Sequence, residues 1–133
     1  MADALSKPDP TLWRTRPRAP MPGTQLGPLD EIPDRRAKEY VFGRGTTIFS
    51  MFVVRQGRSV YGYLNLCPHY SSPLNHRQGE FLNDDCSRIR CTLHFAEFSI
   101  EDGRCVGGAA EGCWLDPVPV HEENGMIVIS NIQ

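Results

Sequence analysis

The chain has 133 residues, enough for one domain with a hydrophobic core and too few for two domains of ordinary size. Its formal net charge is −2, and acidic and basic residues are interspersed along most of its length, which argues against a nucleic-acid-binding or polybasic membrane-binding surface. The five cysteines are an odd number, and the sequence shows neither a secretory leader pattern nor an apolar run of about 18 residues. We therefore expect a reduced, cytoplasmic protein without a membrane partner.

The beginning of the chain is rich in proline and arginine and has no period of about 2 or 3.6 residues. We predict an N-terminal tail over residues 1–27 and one folded domain over residues 28–133. Trp13 and Leu12 could pin part of the tail to the domain, but its composition favours a mobile segment.

The next segment has the alternation that is typical of β-strands. It predicts a short polar strand around residues 38–42, a turn at Gly43-Arg44-Gly45, and a strand over residues 46–54 that is rich in β-branched and aromatic side chains. After a turn at Gln56-Gly57, a further strand carries one apolar row on one face and leads directly into Cys67.

Two short motifs stand where predicted strands give way to loops: Cys67-Pro68-His69 and Cys91-Thr92-Leu93-His94. Each motif supplies one thiolate and one imidazole, and both donors bind borderline-soft metal ions. A lone cysteine or histidine in a loop is more often structural than a ligand. Two matching pairs at two strand-to-loop junctions, however, predict a metal centre clamped between the loops.

The rest of the chain continues the β pattern. Residues 95–100 predict a strand, residues 101–103 a turn and residues 104–106 its return, while Asn124-Gly125 is a strong signal for a closing hairpin. No segment has a sustained helical period. We predict an all-β fold of packed antiparallel sheets, with the two metal-binding loops on a small subdomain. The remaining cysteines are expected to be small, semi-buried hydrophobic residues: Cys86, Cys105 and Cys113.

The paired motifs resemble those of the Rieske [2Fe–2S] proteins, in which one iron takes two cysteines and the other two histidines. Glu97-Phe98 and Asp102-Gly103 extend the likeness through the strand and tight turn beyond the second motif, and the resemblance covers about residues 28–130. It implies one [2Fe–2S] cluster per chain. Carried over position by position, the inner iron takes Cys67 and Cys91, and the outer iron takes His69 and His94.

Several positions differ from the family pattern. The glycine common after the second histidine is Phe95, and the Gly-Pro of a third loop over the cluster reads Gly108-Ala109. Cytochrome bc members carry one extra cysteine in each ligand loop, and the two form a disulfide; Ser72 and Leu93 stand at those positions. The resemblance is therefore to the ferredoxin and oxygenase branch.

Two cysteines and two histidines can also hold a structural zinc ion in tetrahedral geometry. Zinc modules generally pair like residues, whereas alternating cysteine and histidine suits a cluster with different ligands on each iron. We therefore favour the cluster and keep a structural zinc-binding module as the alternative.

The resemblance implies a soluble ferredoxin that carries one electron at a time from a reductase to a terminal acceptor such as an oxygenase. Oxygenases that contain Rieske domains also need a mononuclear iron held by two histidines and a carboxylate. Only His76 and His121 lie outside the predicted ligand set, so we expect no catalysis by this chain alone. The alternative within the family is a small subunit of a larger oxidoreductase, of the oxygenase or nitrite reductase type.

Overall fold

A computed structural model describes residues 8–66, 74, 81–83, 85–91, 96–107 and 114–131. Within these residues the chain forms nine strands, which pair into three antiparallel sheets of three strands each. The strands are β1 (Gln25–Pro28), β2 (Ala37–Arg44), β3 (Thr47–Gln56), β4 (Ser59–Leu64), β5 (Ile89–Arg90), β6 (Glu97–Phe98), β7 (Cys105–Gly107), β8 (Val120–Glu123) and β9 (Met126–Ile129). Two short 3-10 helices complete the described elements: Leu12–Thr15 and Leu29–Glu31. The predicted all-β class and the antiparallel packing are confirmed.

The central sheet is a meander in the order β2-β3-β4. Arg44 pairs with Thr47 across the first hairpin, so its turn consists of Gly45 and Thr46. The sequence placed this turn at residues 43–45, which was wrong because β2 continues through Gly43 despite the positive φ of that glycine, +95°. The second turn, predicted at Gln56-Gly57, lies one residue later at residues 57–58, because Gln56 is the last residue of β3 and pairs with Ser59.

Both faces of the central sheet are buried, because successive side chains of a strand point to opposite faces. On β3, Met51 and Val53 pack on one face, while Phe52 and Val54 pack on the other. The same holds for β4, whose predicted apolar row is buried, as is Tyr63 on the opposite face. The molecule therefore has three layers, with one hydrophobic core on each side of the central sheet.

The first outer layer is the sheet β1-β9-β8. Asn124 and Gly125 both have positive φ, 54° and 83°, which confirms the tight hairpin predicted for them. Ile127 and Ile129 of β9 are fully buried against the central sheet. A close backbone approach connects the two layers: Val118 N–H donates to Gly62 O at 2.9 Å, and a Cβ on Gly62 would lie 2.4 Å from Val118 O.

Part of the predicted tail belongs to this layer. Trp13 in the first 3-10 helix is 1% exposed and stacks edge-on against Phe49 of β3, whereas Leu12 is 49% exposed. β1 begins at Gln25 and pairs with β9, although its sequence showed no strand period. The structure thus holds the segment around Trp13 against the domain, contrary to the mobility expected of it.

The second outer layer is the small sheet β5-β6-β7. Its strands are short, with two residue pairs between β5 and β6 and two between β6 and β7; among them, Ile89 lies opposite Phe98, and Phe98 opposite Cys105. All three side chains are buried in one core together with Phe52 and Tyr63 of the central sheet. No helix in the described part of the chain is long and apolar enough to span a membrane.

Candidate metal centre

Of the four predicted ligands, the structure describes Cys91. Cys67, His69 and His94 lie outside the described residues, so the ligand assignment remains a prediction. Within the described residues, no group of three or more His, Cys, Asp and Glu side chains is arranged to hold a metal ion.

Cys91 follows directly after β5 and is fully buried. Its N–H donates to Ala96 O at 2.9 Å, so that the segment containing His94 leaves and re-enters the small sheet at a fixed point. Burying an ionised side chain is costly unless the charge is compensated, and a bond to a metal ion compensates a thiolate. The surroundings of Cys91 therefore fit a metal-bound thiolate held by the fold.

The first ligand segment is anchored at both ends by buried residues. It leaves the central sheet after β4, where Asn65 is 4% exposed, and it returns at Leu74, which is fully buried. The Leu74 N–H donates to Asn65 Oδ1 at 2.8 Å. The residues between these anchors include Cys67 and His69.

The ends of the two ligand segments meet in one hydrophobic core. Leu74, from the first segment, and Cys91, from the second, both belong to the core between the central sheet and the small sheet. Two predicted motifs that are separated in sequence are thus anchored on the same side of the central sheet. This is the arrangement that a cluster bridging two loops requires.

Aromatic side chains fill part of this core. Phe52 and Phe81 are stacked with ring centroids 4.4 Å apart, and the Tyr63 ring lies 5.9 Å from that of Phe52. The Tyr63 hydroxyl donates to Ile100 O at 2.6 Å, which ties the central sheet to the turn after β6. Burial, with the nearby Asp102 and Glu101 charges, raises the pKa of Tyr63 above its usual range. The phenol therefore stays neutral and acts as a hydrogen-bond donor.

The other cysteines have distinct surroundings. Cys105 is buried on β7, and its thiol contacts Gly107 O at 3.3 Å. Cys86 is half-buried with a positive φ of 62°, and the Arg36 guanidinium donates to its sulfur at 2.8 Å. Cys86 is thus half-buried as expected, Cys105 is more deeply buried than expected, and Cys113 lies outside the described residues.

His121 is the one histidine among the described residues, and both of its ring nitrogens lie near other side chains. His121 on β8 is exposed; its Nδ1 lies 2.7 Å from Ser130 Oγ and its Nε2 3.1 Å from Glu123 Oε1. His76 lies outside the described residues.

Sequence reasoning missed one residue at the site, Asn65. The sequence alone suggested no role for it, although asparagine is depleted in strands and this one stands directly after β4 and two residues before Cys67. An unfavourable residue at the end of a strand, next to a predicted ligand, was the signal that could have identified it.

The comparisons with known proteins identify the family of the chain. The family model described as the Rieske [2Fe–2S] domain matches residues 24–122. The chain belongs to the Rieske [2Fe–2S] domain family, and the cofactor of that family is the cluster for which the donor set was predicted. Buried Cys91 and the two anchored segments are compatible with one such cluster per chain. No curated protein matches the sequence.

Solved structures show the same fold. The ferredoxin of carbazole 1,9a-dioxygenase from Nocardioides aromaticivorans IC177 superposes with a TM-score of 0.63 at 20% identity, covering 84% of this chain and 100% of that chain. The Sphingomonas yanoikuyae B1 ferredoxin gives 0.58 at 19% identity, covering 83% and 99%. A longer chain in the reduced complex between oxygenase and ferredoxin in carbazole 1,9a-dioxygenase gives 0.65 at 20% identity, covering 83% of this chain and 29% of that chain.

Proposed function

We propose that this chain carries single electrons on one Rieske-type [2Fe–2S] cluster, from a reductase to a terminal oxygenase or another oxidoreductase. The observation that carries the proposal is the extent of the structural match. This chain spans 100% of the Nocardioides protein and 99% of the Sphingomonas protein, both of which are named as ferredoxins. A fold shared over that whole length favours the same role.

In this proposal Cys67 and Cys91 bind one iron, and His69 and His94 bind the other. The cluster supplies reversible one-electron chemistry. The protein residues hold it: the buried anchors Leu74 and Cys91 fix the two ligand segments, and the aromatic core beneath them excludes water from that side.

We further propose that the chain does not transform a substrate. A mononuclear oxygenase iron needs two histidines and a carboxylate, and His121 is engaged by Ser130 and Glu123 at an exposed edge of the outer sheet. We also propose a cluster domain over residues 28–133, against which the N-terminal segment, residues 1–27, packs through Trp13 and β1. The odd number of cysteines favours a reducing compartment, and we place the protein in the cytoplasm.

A second candidate function is that of a subunit or domain within a larger oxidoreductase. It is favoured by the match to a chain in the oxygenase and ferredoxin complex, of which this chain covers 29%. The two functions differ in whether the isolated protein exchanges electrons with separate proteins.

The test is an electron-transfer assay on the purified protein. A flavoprotein ferredoxin reductase with NADH serves as donor and cytochrome c as acceptor, after iron and acid-labile sulfide have been counted. We expect a coloured protein that raises the rate of cytochrome c reduction in proportion to its concentration. A coloured protein that leaves the rate unchanged would favour the subunit alternative, whereas a colourless protein that contains zinc would refute the cluster.

A further inference from the structure

Asn65 is the one buried polar or charged residue in the described part of the chain. It stands between the end of β4 and the predicted ligand Cys67. A buried amide is retained only where its hydrogen bonds are made, because an unsatisfied buried polar group is costly. Its partners therefore show what it does.

The side-chain oxygen of Asn65 binds the residue at the far end of the first ligand segment. Asn65 Oδ1 accepts the Leu74 N–H at 2.8 Å, and the Asn65 backbone N–H donates to Ser50 O on β3 at 3.0 Å. The first bond holds the return of the segment, and the second holds its start on the central sheet. Residues 66–73, including Cys67 and His69, are bracketed between them.

The nitrogen end is held by the central sheet. Asn65 Nδ2 lies 3.2 Å from Ser50 Oγ and 3.4 Å from Glu39 Oε2, and Ser50 Oγ donates to the same carboxylate oxygen at 2.7 Å. Because the two ends of an amide differ in hydrogen-bonding character, acceptors at the nitrogen end fix the direction of the oxygen. Glu39 and Ser50 thus aim Asn65 Oδ1 at Leu74.

We propose that Asn65 is a positioning residue for the iron–sulfur cluster, oriented by Glu39 and Ser50, and that it sets where Cys67 and His69 stand relative to the central sheet. The inference rests on the proposed function, which supplies the ligand set. A ligand segment held at both ends keeps its geometry when the cluster changes charge, as an electron carrier requires. In this proposal Asn65 acts through the segment that it holds.

The experiment compares the holoprotein with Asn65→Ala and Ser50→Ala. The rate of cluster loss to an iron chelator is followed by visible absorbance, and the EPR spectrum of the dithionite-reduced protein is recorded. Asn83→Ala is the matched control, because Asn83 Oδ1 also accepts backbone N–H groups, those of Ser87 and Arg88, but in an exposed turn.

We expect Asn65→Ala to lose its cluster about tenfold faster than the native protein, the factor that corresponds to one buried hydrogen bond. Its EPR lines should shift or broaden as the ligand geometry becomes heterogeneous. Ser50→Ala should show the same changes to a smaller degree, and Asn83→Ala should match the native protein in both measurements.

Exchanging the amide of Asn65 and the carboxylate of Glu39 tests whether the cluster lifetime can be restored. The double variant Asn65→Asp/Glu39→Gln keeps an oxygen acceptor for Leu74 and a donor–acceptor pair with residue 39, with the same net charge. We expect its cluster lifetime to recover toward the native value, whereas Asn65→Asp alone, which places two carboxylates together, should remain impaired.

The outcomes separate the inference from the proposed function. A native protein without iron and sulfide would overturn both. A native protein with a cluster, and an Asn65→Ala variant with native cluster lifetime and EPR spectrum, would overturn only the role of Asn65. If Asn65→Ala does not fold, Ser50→Ala decides, and a native lifetime and spectrum in that variant would overturn the inference.

Discussion

Cys91 links the sequence motif to the folded core. Its thiol is fully buried at the end of β5, where the chain cannot expose it without opening the small sheet. Replacing it by serine would remove one of the proposed iron ligands and leave a hydroxyl in an apolar core. We expect Cys91→Ser to lack the visible absorption of the cluster and to be purified with little iron, as measured by absorbance and metal analysis.

Cys105→Ser is the matched control for that variant. Cys105 is also a buried thiol of the small sheet, and it lies outside both motifs. We expect the Cys105→Ser protein to keep a full complement of iron and sulfide. If Cys91→Ser also kept it, the ligand assignment would be wrong.

The residues after the second motif bear on the reduction potential. Rieske centres span about −150 to +300 mV, and hydrogen bonds to the cluster sulfurs raise the potential by stabilising the added electron. Members of high potential place a hydroxyl shortly after the second histidine, whereas this chain has Phe95 and Ala96, and it lacks the two extra loop cysteines. We expect a midpoint in the lower part of the range by protein-film voltammetry. A midpoint near the top would contradict this reasoning.

Among single residues, the sequence predicted the ligand motifs but not the residues that hold these motifs in the fold. Cys91 could be selected because a paired motif repeats its donor types. Trp13 could be named as a possible anchor of the tail, but its contact with Phe49 could not be predicted, because the two residues are distant in sequence. Asn65 could not be selected at all, since its role depends on the distant partners Leu74 and Glu39.

The contact between β4 and the turn after β6 joins the central sheet to the small sheet. Its polar component is the buried hydrogen bond from the Tyr63 hydroxyl to Ile100 O. Tyr63→Phe keeps the ring and leaves that carbonyl without its donor, so we expect a loss of about 1–2 kcal/mol in the free energy of unfolding, measured by denaturant titration. Tyr61→Phe, at a half-buried position of the same strand, should cost less than about 0.5 kcal/mol. Equal losses in the two variants would argue against this role for Tyr63.

The 3-10 helix Leu12–Thr15 offers a second test between neighbouring positions. Trp13 is 1% exposed in the core beneath the outer sheet, and Leu12 beside it is 49% exposed. We expect Trp13→Ala to lower the free energy of unfolding by about 3 kcal/mol and Leu12→Ala by less than about 0.5 kcal/mol. Thermal and denaturant unfolding of the two variants measures the difference. A Trp13→Ala protein as stable as the native one would show that this segment is not part of the folded domain.

Elements with strong local patterns were the ones that the sequence predicted. The hairpin at Asn124-Gly125 and the strands β2 to β4 have turn residues and alternation of their own. β1 was missed because Gln25–Pro28 carries a glycine and a proline and becomes a strand only by pairing with β9. The burial of both faces of β4 was missed for a similar reason: the second face is covered by the small sheet, and sheet-to-sheet contacts leave no period in the sequence.

The described part of the chain forms three layers that support the two predicted ligand segments. The central sheet buries one face against the outer sheet, which includes the N-terminal segment around Trp13, and the other against the small sheet. The first ligand segment leaves from the central sheet and the second from the small sheet, so the core between them sets the relation of the two motifs. That core is therefore the structural basis for a cluster held by both.

Pulsed EPR on the dithionite-reduced protein, with iron and sulfide counted on the same sample, tests the central claim most directly. The account predicts one unpaired electron per chain, equal amounts of iron and sulfide, and coupling of that electron to two imidazole nitrogens, which disappears when the histidine ligands are replaced. An EPR-silent protein containing zinc, or a cluster signal without nitrogen coupling, would contradict it.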